Sequence, residues 1–277
     1  MKKILITGNS GYIGSHLTQI LNKNENYELY GLDLQQPLVD IKYFVTEDIK
    51  NIFPWKYSNM EFDCVIHMAA EVAVGRSVLN PTLYYLTNTL GTYNVLRNIK
   101  TKNFVFASTG SAAGMNSPYS ISKKGAEEIV TQYCTENKIP FTIFRFYNVV
   151  GTDGIPPTNP DGLMWNLMNA QTVGKFTLFG TDYDTPDGTC VRDYTHVNEI
   201  CHAVAQGIDG PTNQIENLGH GVGTTVKEMI DIFKQVNDCD FEVINGPRRA
   251  GDLERTVLPN PSKYMTHLYT MEDLMKI

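Results

Sequence analysis

A chain of 277 residues, 42% hydrophobic and 19% charged, can bury one large core or a core plus a smaller lobe. Its net charge of −7 provides no basic footprint, which argues against nucleic acid as a partner. No apolar run is long enough to span a bilayer, so no membrane partner is expected.

The chain begins "MKKILITG", two lysines before an apolar run of only Ile4, Leu5 and Ile6. That run is too short for a signal-peptide core, and a first strand over 3–8 is expected instead. Leu17, Ile20 and Leu21 at helical spacing predict a helix over 14–23. Strands are predicted at 28–33 and 62–70, then a long helix at 82–99 and a strand at 103–108. A helix at 118–137 follows, with Pro118 in its first turn, and then a strand at 141–151. Short apolar strands alternating with helices predict an α/β fold, a doubly wound parallel sheet covered on both faces. Past residue 150 the composition changes. Segments 151–162 and 180–193 are rich in Gly, Pro and polar residues and read as long loops suited to ligand contact. Helices near 163–173, 196–207 and 225–237 surround them. Residues 151–277 are therefore expected to form a smaller lobe, with a soft boundary because later segments can return to the sheet. Cys64, Cys134, Cys190, Cys201 and Cys239 are scattered, odd in number and without zinc spacing. Free thiols in a reducing cytoplasm and no metal are expected.

Two motifs carry chemistry. "TGNSGYIGSHL" sets Gly8, Gly11 and Gly14 between the first strand and the first helix. Gly8 permits a tight turn, Gly11 lets main-chain N–H groups approach a pyrophosphate, and Gly14 allows close helix–strand packing. Asp33 ends the next strand, where a carboxylate accepts hydrogen bonds from adenosine ribose hydroxyls and repels a 2′-phosphate, so NAD is favoured over NADP. The second motif is "STGSAAGMNSPYSISK". Tyr119 and Lys123 stand four apart and share a helix face. A phenol with a pKa near ~10 becomes a base at neutral pH only if about 3–4 kcal/mol of differential stabilisation favours its phenolate. A neighbouring ammonium and a nicotinamide cation both act in that direction. Arg192, in a Gly/Asp/Thr-rich loop, has the fork of donors that phosphate recognition uses, and its competing partners are Asp187 and Asp193. His196 reads as a packing residue at a helix start.

Together these residues resemble the extended short-chain dehydrogenase/reductase family, above all its nucleotide-sugar branch, over nearly the whole chain. "TGNSGYIGSHL", "PYSISK", "FRFYNVVG", "GTDYDTPDGTCVRDYTHV" and "RRAGD" carry the resemblance. It implies a Rossmann domain over 1–150 that holds NAD and a substrate-binding lobe over 151–277. Gly8, Gly11, Tyr12, Ile13 and Gly14 would cradle the pyrophosphate, Asp33 the adenosine ribose, and Asp48 and Ile49 the adenine. Met68, Ala69, Ala70 and Asn88 would lie along the cofactor, with Tyr147 by the nicotinamide and Lys123 on its ribose. Thr109, Tyr119 and Lys123 would be catalytic, and Thr109, Ser111 and Tyr119 would meet the sugar. Asn148, Arg192 and Arg249 would hold the diphosphate, Asp252 the second ribose, Leu178 and Phe179 the base, and Leu163 would also meet the substrate.

The implied reaction is epimerisation at C4 of a UDP-hexose (glucose/galactose or their N-acetyl forms) through a 4-keto sugar. A 4,6-dehydratase or decarboxylase of the same branch, or a non-catalytic NAD-binding regulator, are the alternatives. Gly110 and Ser111 follow Thr109 where dehydratases carry an acid, which argues against elimination. The resemblance also implies a homodimer through the helices at 82–99 and 118–136. Three departures stand out. The loop before Tyr119 is short and holds Ala113 where a Tyr is usual. Glu71 and Val72 occupy the place of a lysine near the cofactor. Thr256 stands at the gate on sugar size.

Overall fold

A computed structural model describes residues 1–51, 55–249, 251–266 and 268–277. The N-terminal part runs β1 (Lys2–Thr7), α1 (Tyr12–Leu21), β2 (Tyr27–Asp33), β3 (Tyr43–Thr46), β4 (Glu61–Phe62), β5 (Cys64–His67), α2 (Val74–Leu79) and α3 (Pro81–Tyr84). A π-helical turn (Tyr85–Leu90) leads into α4 (Gly91–Asn98), β6 (Lys100–Thr101), β7 (Phe104–Thr109), a 3-10 turn (Gly110–Ala113), α5 (Pro118–Asn137), β8 (Phe141–Phe146) and β9 (Asn148–Val150). The remainder is α6 (Leu163–Val173), β10 (Lys175–Phe179), β11 (Val191–His196), α7 (Val197–Asp209), β12 (Gln214–Leu218), β13 (Gly223–Thr225), α8 (Val226–Val236), β14 (Glu242–Gly246), β15 (Arg255–Thr256) and α9 (Met271–Met275).

Seven parallel strands form the main sheet in the order β12-β8-β7-β5-β1-β2-β3. The doubly wound parallel sheet read from the sequence is the one observed. Its central strands are buried on both faces, so Ile4, Leu5 and Ile6 form a continuous apolar run instead of an alternating one. On one face α1 and α7 contribute Leu17, Leu21, Ile200, Val204 and Ile208 to the core. On the other, α4 and α5 contribute Val95, Leu96, Ala126, Val130 and Cys134. Strand order reverses between β1 and β5, which creates a crevice beyond their C-terminal ends. A third core cluster joins Met164 and Leu167 of α6, Phe176 and Leu178 of β10, and Met229, Ile230 and Phe233 of α8. Among the described residues no helix is long and apolar enough to cross a membrane.

Several predicted boundaries move. The 62–70 run leaves the sheet after His67, and residues 68–70 become cleft wall. The 141–151 strand divides at Tyr147, and β9 pairs with β11 outside the main sheet. The 82–99 helix is broken by the π turn. The 180–193 loop ends inside β11. Although they follow residue 150, α7 packs on the main sheet and β12 extends it beside β8.

Helix α5 is fixed at both ends and at its middle. Ser117 and Ser120 form a capping box, Pro118 opens the first turn, and Lys138 ends the helix at a positive φ of 56°. At the middle, the fully buried Glu127 accepts from Arg145 Nε at 2.7 Å and a terminal guanidinium nitrogen at 2.6 Å. Ser108 Oγ donates to the same carboxylate at 2.6 Å. These bonds hold Glu127 below the usual carboxylate pKa against the opposing effect of burial. Removing one partner of a buried pair leaves the other charge uncompensated, at a cost of about 3–5 kcal/mol. Arg145→Met is therefore expected to lower the unfolding free energy by about that amount, and adding Glu127→Gln to restore part of it. Denaturant unfolding of the two single variants and the double variant checks this.

Candidate cofactor and active site

A cleft of about 290 Å³ opens at the strand switch point, lined by Gly8, Ser10, Gly11, Asp33, Asp48, Met68, Ala69 and Ala70 among others. Gly8 has a φ of +76°, and a Cβ there would lie 2.5 Å from the Ala69 nitrogen. At Gly14 a Cβ would lie 2.0 Å from the Gly8 carbonyl oxygen. No side chain fits either place. At Gly11 the nearest protein atom to an added Cβ is 3.4 Å away, which leaves room for a ligand to approach the backbone. Gly11 caps α1 without a side-chain hydrogen bond, so the first-turn N–H groups keep their anion-binding character. Asp33 is oriented by the N–H groups of Ser10 and Gln35, both at 3.0 Å. This cradle fits a dinucleotide pyrophosphate with its adenosine toward Asp33.

The other cofactor-side residues divide by how their side chains are used. The Tyr12 hydroxyl donates to the Gly151 carbonyl, so only the main chain of Tyr12 and Ile13 faces the phosphate position. Asp48 accepts from the Lys50 N–H at 2.9 Å and pairs with Lys50 Nζ at 3.4 Å. Ile49 is buried against Gly91, which leaves only its main chain for an adenine. Asn88 is buried and committed: its Oδ1 accepts from Glu71 N at 2.8 Å, and its Nδ2 donates to Glu71 O and Ser122 Oγ. His67 sits beneath the cleft between Thr7 and Thr92 hydroxyls at 2.6 and 3.0 Å, and burial pushes its pKa down to about 3.

Half-buried Tyr119 and buried Lys123 share one face of α5. Burial raises the Tyr119 pKa, while a hydrogen bond with Thr109 acts in the opposite direction. The Thr109 hydroxyl lies 3.2 Å from Ser111 Oγ. The edge of Tyr84 meets the Tyr119 ring with centroids 6.2 Å apart, and its hydroxyl is 2.5 Å from Val72 O and 2.9 Å from Ala73 O. Ala73 holds a φ of +87°, strained for a non-glycine residue, and Tyr84 fixes this turn beside Tyr119. Lys123 Nζ lies 4.3 Å from the Phe106 ring centroid. Tyr147 packs so tightly on Gly110 that a Cβ there would come within 2.9 Å of its ring.

In the lobe, among the described residues, Arg192 donates to the main-chain carbonyls of Val191, at 3.0 Å, and Glu254, at 3.4 Å. Both carboxylates considered as its partners are engaged elsewhere. Asp187 is bonded to Thr189 and Thr225, and Asp193 to the N–H groups of His220, Gly221 and Leu258. Asn148 Nδ2 reaches Asp193 O at 3.4 Å. Arg249 donates to Asp252 at 2.9 Å and stands over the Phe179 ring at 5.1 Å. Leu178 is buried in the lobe core, so only its main chain remains for a base. Leu163 begins α6 behind Gly162, which supplies no side-chain cap. His196 caps α7 and stacks on Tyr269 with centroids 3.7 Å apart, as a packing residue would. Among the described residues no group of three or more His, Cys, Asp or Glu is arranged to hold a metal. Sequence reasoning missed Ser108, Glu127 and Arg145. The available signals were Glu127 four residues after Lys123, Arg145 within "FRFYNVVG" and Ser108 at the head of "STGSAAGMNSPYSISK".

Comparison with known proteins agrees with this architecture. Residues 4–219 match the NAD dependent epimerase/dehydratase family. The UDP-glucose 4-epimerase of Haemophilus influenzae is 31% identical, over 94% of this chain and 89% of its own. The solved UDP-Glc/GlcNAc 4-epimerase of Campylobacter jejuni superimposes with a TM-score of 0.80 at 28% identity, covering 98% of this chain and 96% of that one. The Thermus thermophilus UDP-glucose 4-epimerase, solved in complex with NAD, gives a TM-score of 0.80 at 28% identity over 92% and 90% of the two chains.

Burial pushes the Lys123 pKa from 10.5 down to about 7, with Glu127 pulling it back up. Between those two values the unfolded lysine binds a proton that the folded one has released, so stability rises with pH across the window. Lys123→Met removes the penalty. In cofactor-free protein it is expected to stabilise the fold by about 1–3 kcal/mol at pH 7 and below, after discounting for relaxation. The advantage shrinks as pH rises toward 10. Denaturant midpoints of both proteins across that pH range check the sign.

Proposed function

Because the chain belongs to the NAD dependent epimerase/dehydratase family, we propose that it acts as a nucleotide-sugar 4-epimerase, inverting C4 of a UDP-hexose with NAD as its cofactor. One observation carries the choice within the family. Thr109 is followed by Gly110, and the Tyr147 ring fills the space where a residue-110 side chain would stand. Elimination in the related dehydratases needs an acid beside this threonine, and Gly110 and Ser111 supply none.

Bound NAD supplies a reversible hydride acceptor for C4. Tyr119 takes the proton of the 4-hydroxyl and later returns it. Thr109 bonds the same sugar oxygen and favours the phenolate. Lys123, as an ammonium, favours the phenolate further and holds a ribose hydroxyl of the cofactor. Ser111 meets the sugar beside Thr109. Arg192, Arg249 and Asn148 hold the diphosphate, Asp252 the uridine ribose, and Phe179 with the main chain of Leu178 and Leu163 the base. Binding energy at the nucleotide end anchors the molecule while the 4-keto sugar turns over. Residues 1–150 serve the cofactor and 151–277 the substrate, apart from α7 and β12, which belong with the sheet. Thr256 at the gate and the short 110–117 loop support acceptance of N-acetylated hexoses beside glucose and galactose. A reducing cytoplasm suits five free cysteines, four of them buried.

We also propose a homodimer. Tyr85, Leu86, Leu90 and Tyr93, with Ile121 of the neighbouring α5, expose apolar surface on adjoining helical segments. A second copy presenting the same patch would cover it. Leu90→Arg with Ile121→Arg is expected to convert a dimer into a monomer, read by light scattering.

Incubation with UDP-galactose is expected to yield UDP-glucose. Tyr119→Phe is expected to reduce kcat by about 10²–10⁴-fold with little change in KM. Absence of conversion of any UDP-hexose by NAD-loaded protein refutes the epimerase reading, and full activity in Tyr119→Phe refutes the mechanism.

A further inference from the structure

His67 is the last residue of β5. His67, Thr7 and Thr92 are each no more than 1% exposed, so every polar hydrogen among them needs an acceptor inside the protein. Proton counting then fixes the direction of each bond. The Thr92 hydroxyl lies 2.6 Å from the Asn88 carbonyl oxygen, which can only accept, so its one proton points there. The Thr92 oxygen, 3.0 Å from His67 Nε2, must therefore accept, and Nε2 carries a hydrogen. On the other side Thr7 Oγ1 accepts from the Ala69 N–H at 3.3 Å and lies 2.6 Å from His67 Nδ1. A bare Nδ1 accepts the Thr7 proton. A hydrogen on Nδ1 would leave that proton without an acceptor among the described residues. Burial, with the Lys123 charge acting in the same sense, pushes the His67 pKa down to about 3 and keeps the ring neutral.

The chain of bonds thus runs one way, from Ala69 N–H through Thr7, His67 and Thr92 to the Asn88 carbonyl. Each end grips the segment 69–71. Ala69 N is the atom that the Gly8 turn packs against, since a Cβ at Gly8 would lie 2.5 Å from it. Asn88 holds Glu71 by both its N–H and its carbonyl. The same Asn88 amide donates to Ser122 Oγ at 2.9 Å, and Ser122 Oγ donates to the Tyr119 carbonyl at 2.8 Å. Phe106 stacks on the His67 ring with centroids 5.6 Å apart, and Lys123 Nζ lies 4.3 Å from the centre of that phenyl ring. We propose that His67, in its Nε2–H form, is a positioning residue that sets residues 69–71 and, through Asn88 and Ser122, the turn of α5 that carries Tyr119. A residue that only donates or only accepts at both places cannot replace it, because the chain needs an acceptor toward Thr7 and a donor toward Thr92.

That Tyr119 is the base rests on the epimerase reading above; the chain of bonds does not depend on it. Nitrogen NMR of histidine-labelled protein, without cofactor or substrate, reads the tautomer on wild type itself. Protonated Nε2 and bare Nδ1 are expected at His67, unchanged from about pH 8 to about pH 5. Thr92→Val removes the acceptor of the Nε2 hydrogen. It is expected to bring in the Nδ1–H form and to shift the Tyr119 ring resonances, assigned with Tyr119→Phe. Thr92→Ser is expected to restore both signals. With UDP-galactose, Thr92→Val is expected to lower kcat about tenfold and leave KM within about twofold. An Nδ1–H tautomer or an imidazolium in wild type overturns the chain. Tyr119 resonances that stay in place in Thr92→Val overturn the positioning role. A wild type that meets both NMR expectations yet converts no UDP-hexose supports the positioning and refutes the epimerase reading alone.

Discussion

One buried carboxylate sets where the reactive groups stand. Glu127 lies one helical turn beyond Lys123 and two beyond Tyr119, and it ties α5 to two strands at once. Ser108, which bonds it, is the residue before Thr109. Arg145, which clamps it through two parallel bonds, lies two residues before Tyr147. Thr109, the Tyr119–Lys123 face and Tyr147 therefore come from three elements that meet at a single ionic contact. A buried ion pair contributes little net stability compared with well-packed apolar residues. Its value here is geometric, because the guanidinium fork accepts one orientation of the carboxylate and so fixes how α5 is rotated against the sheet.

That fixed geometry carries an energetic penalty beside it. Burial disfavours the charged forms of both Lys123 and Tyr119. In a sheltered wall a small change in nearby charge has a large effect on the ionisation of both groups. The strain at Ala73 belongs to the same pattern. Tyr84 anchors that turn with its hydroxyl while its ring bears on Tyr119, so the irregular backbone and the Tyr119 phenol share one support. Stability is given up where chemistry requires it and recovered in the three apolar clusters.

The cofactor and substrate sides are built on different principles. The cradle is made by absences: Gly8 and Gly14 have no space for a side chain, and Gly11 leaves room open in front of the backbone. The side we propose for the substrate carries long polar side chains, among them Arg192 of β11. Arg192 is held by main-chain carbonyls while the two carboxylates nearest in sequence are engaged elsewhere, so its guanidinium retains donors for a phosphate. The short segment before α5 leaves Ala113 and Met115 exposed.

The sequence by itself determined the parallel sheet, the glycine cradle, Asp33 and the Tyr119–Lys123 pair. These depend on local rules: apolar runs for strands buried on both faces, glycine where no side chain fits, and fourfold spacing on a helix. What lay beyond those rules was settled by contacts distant in the chain. The return of β12 to the sheet depends on pairing with β8, some 70 residues earlier, and Gln214–Leu218 has no strong strand pattern of its own. The 82–99 helix gave no local sign of its π turn. The engagement of Asn88 and the clamp on Glu127 likewise depend on which side chains face one another across elements. A single strand or helix does not contain that information, because a hydrogen bond between two buried side chains is specified only when packing brings both of them to the same place.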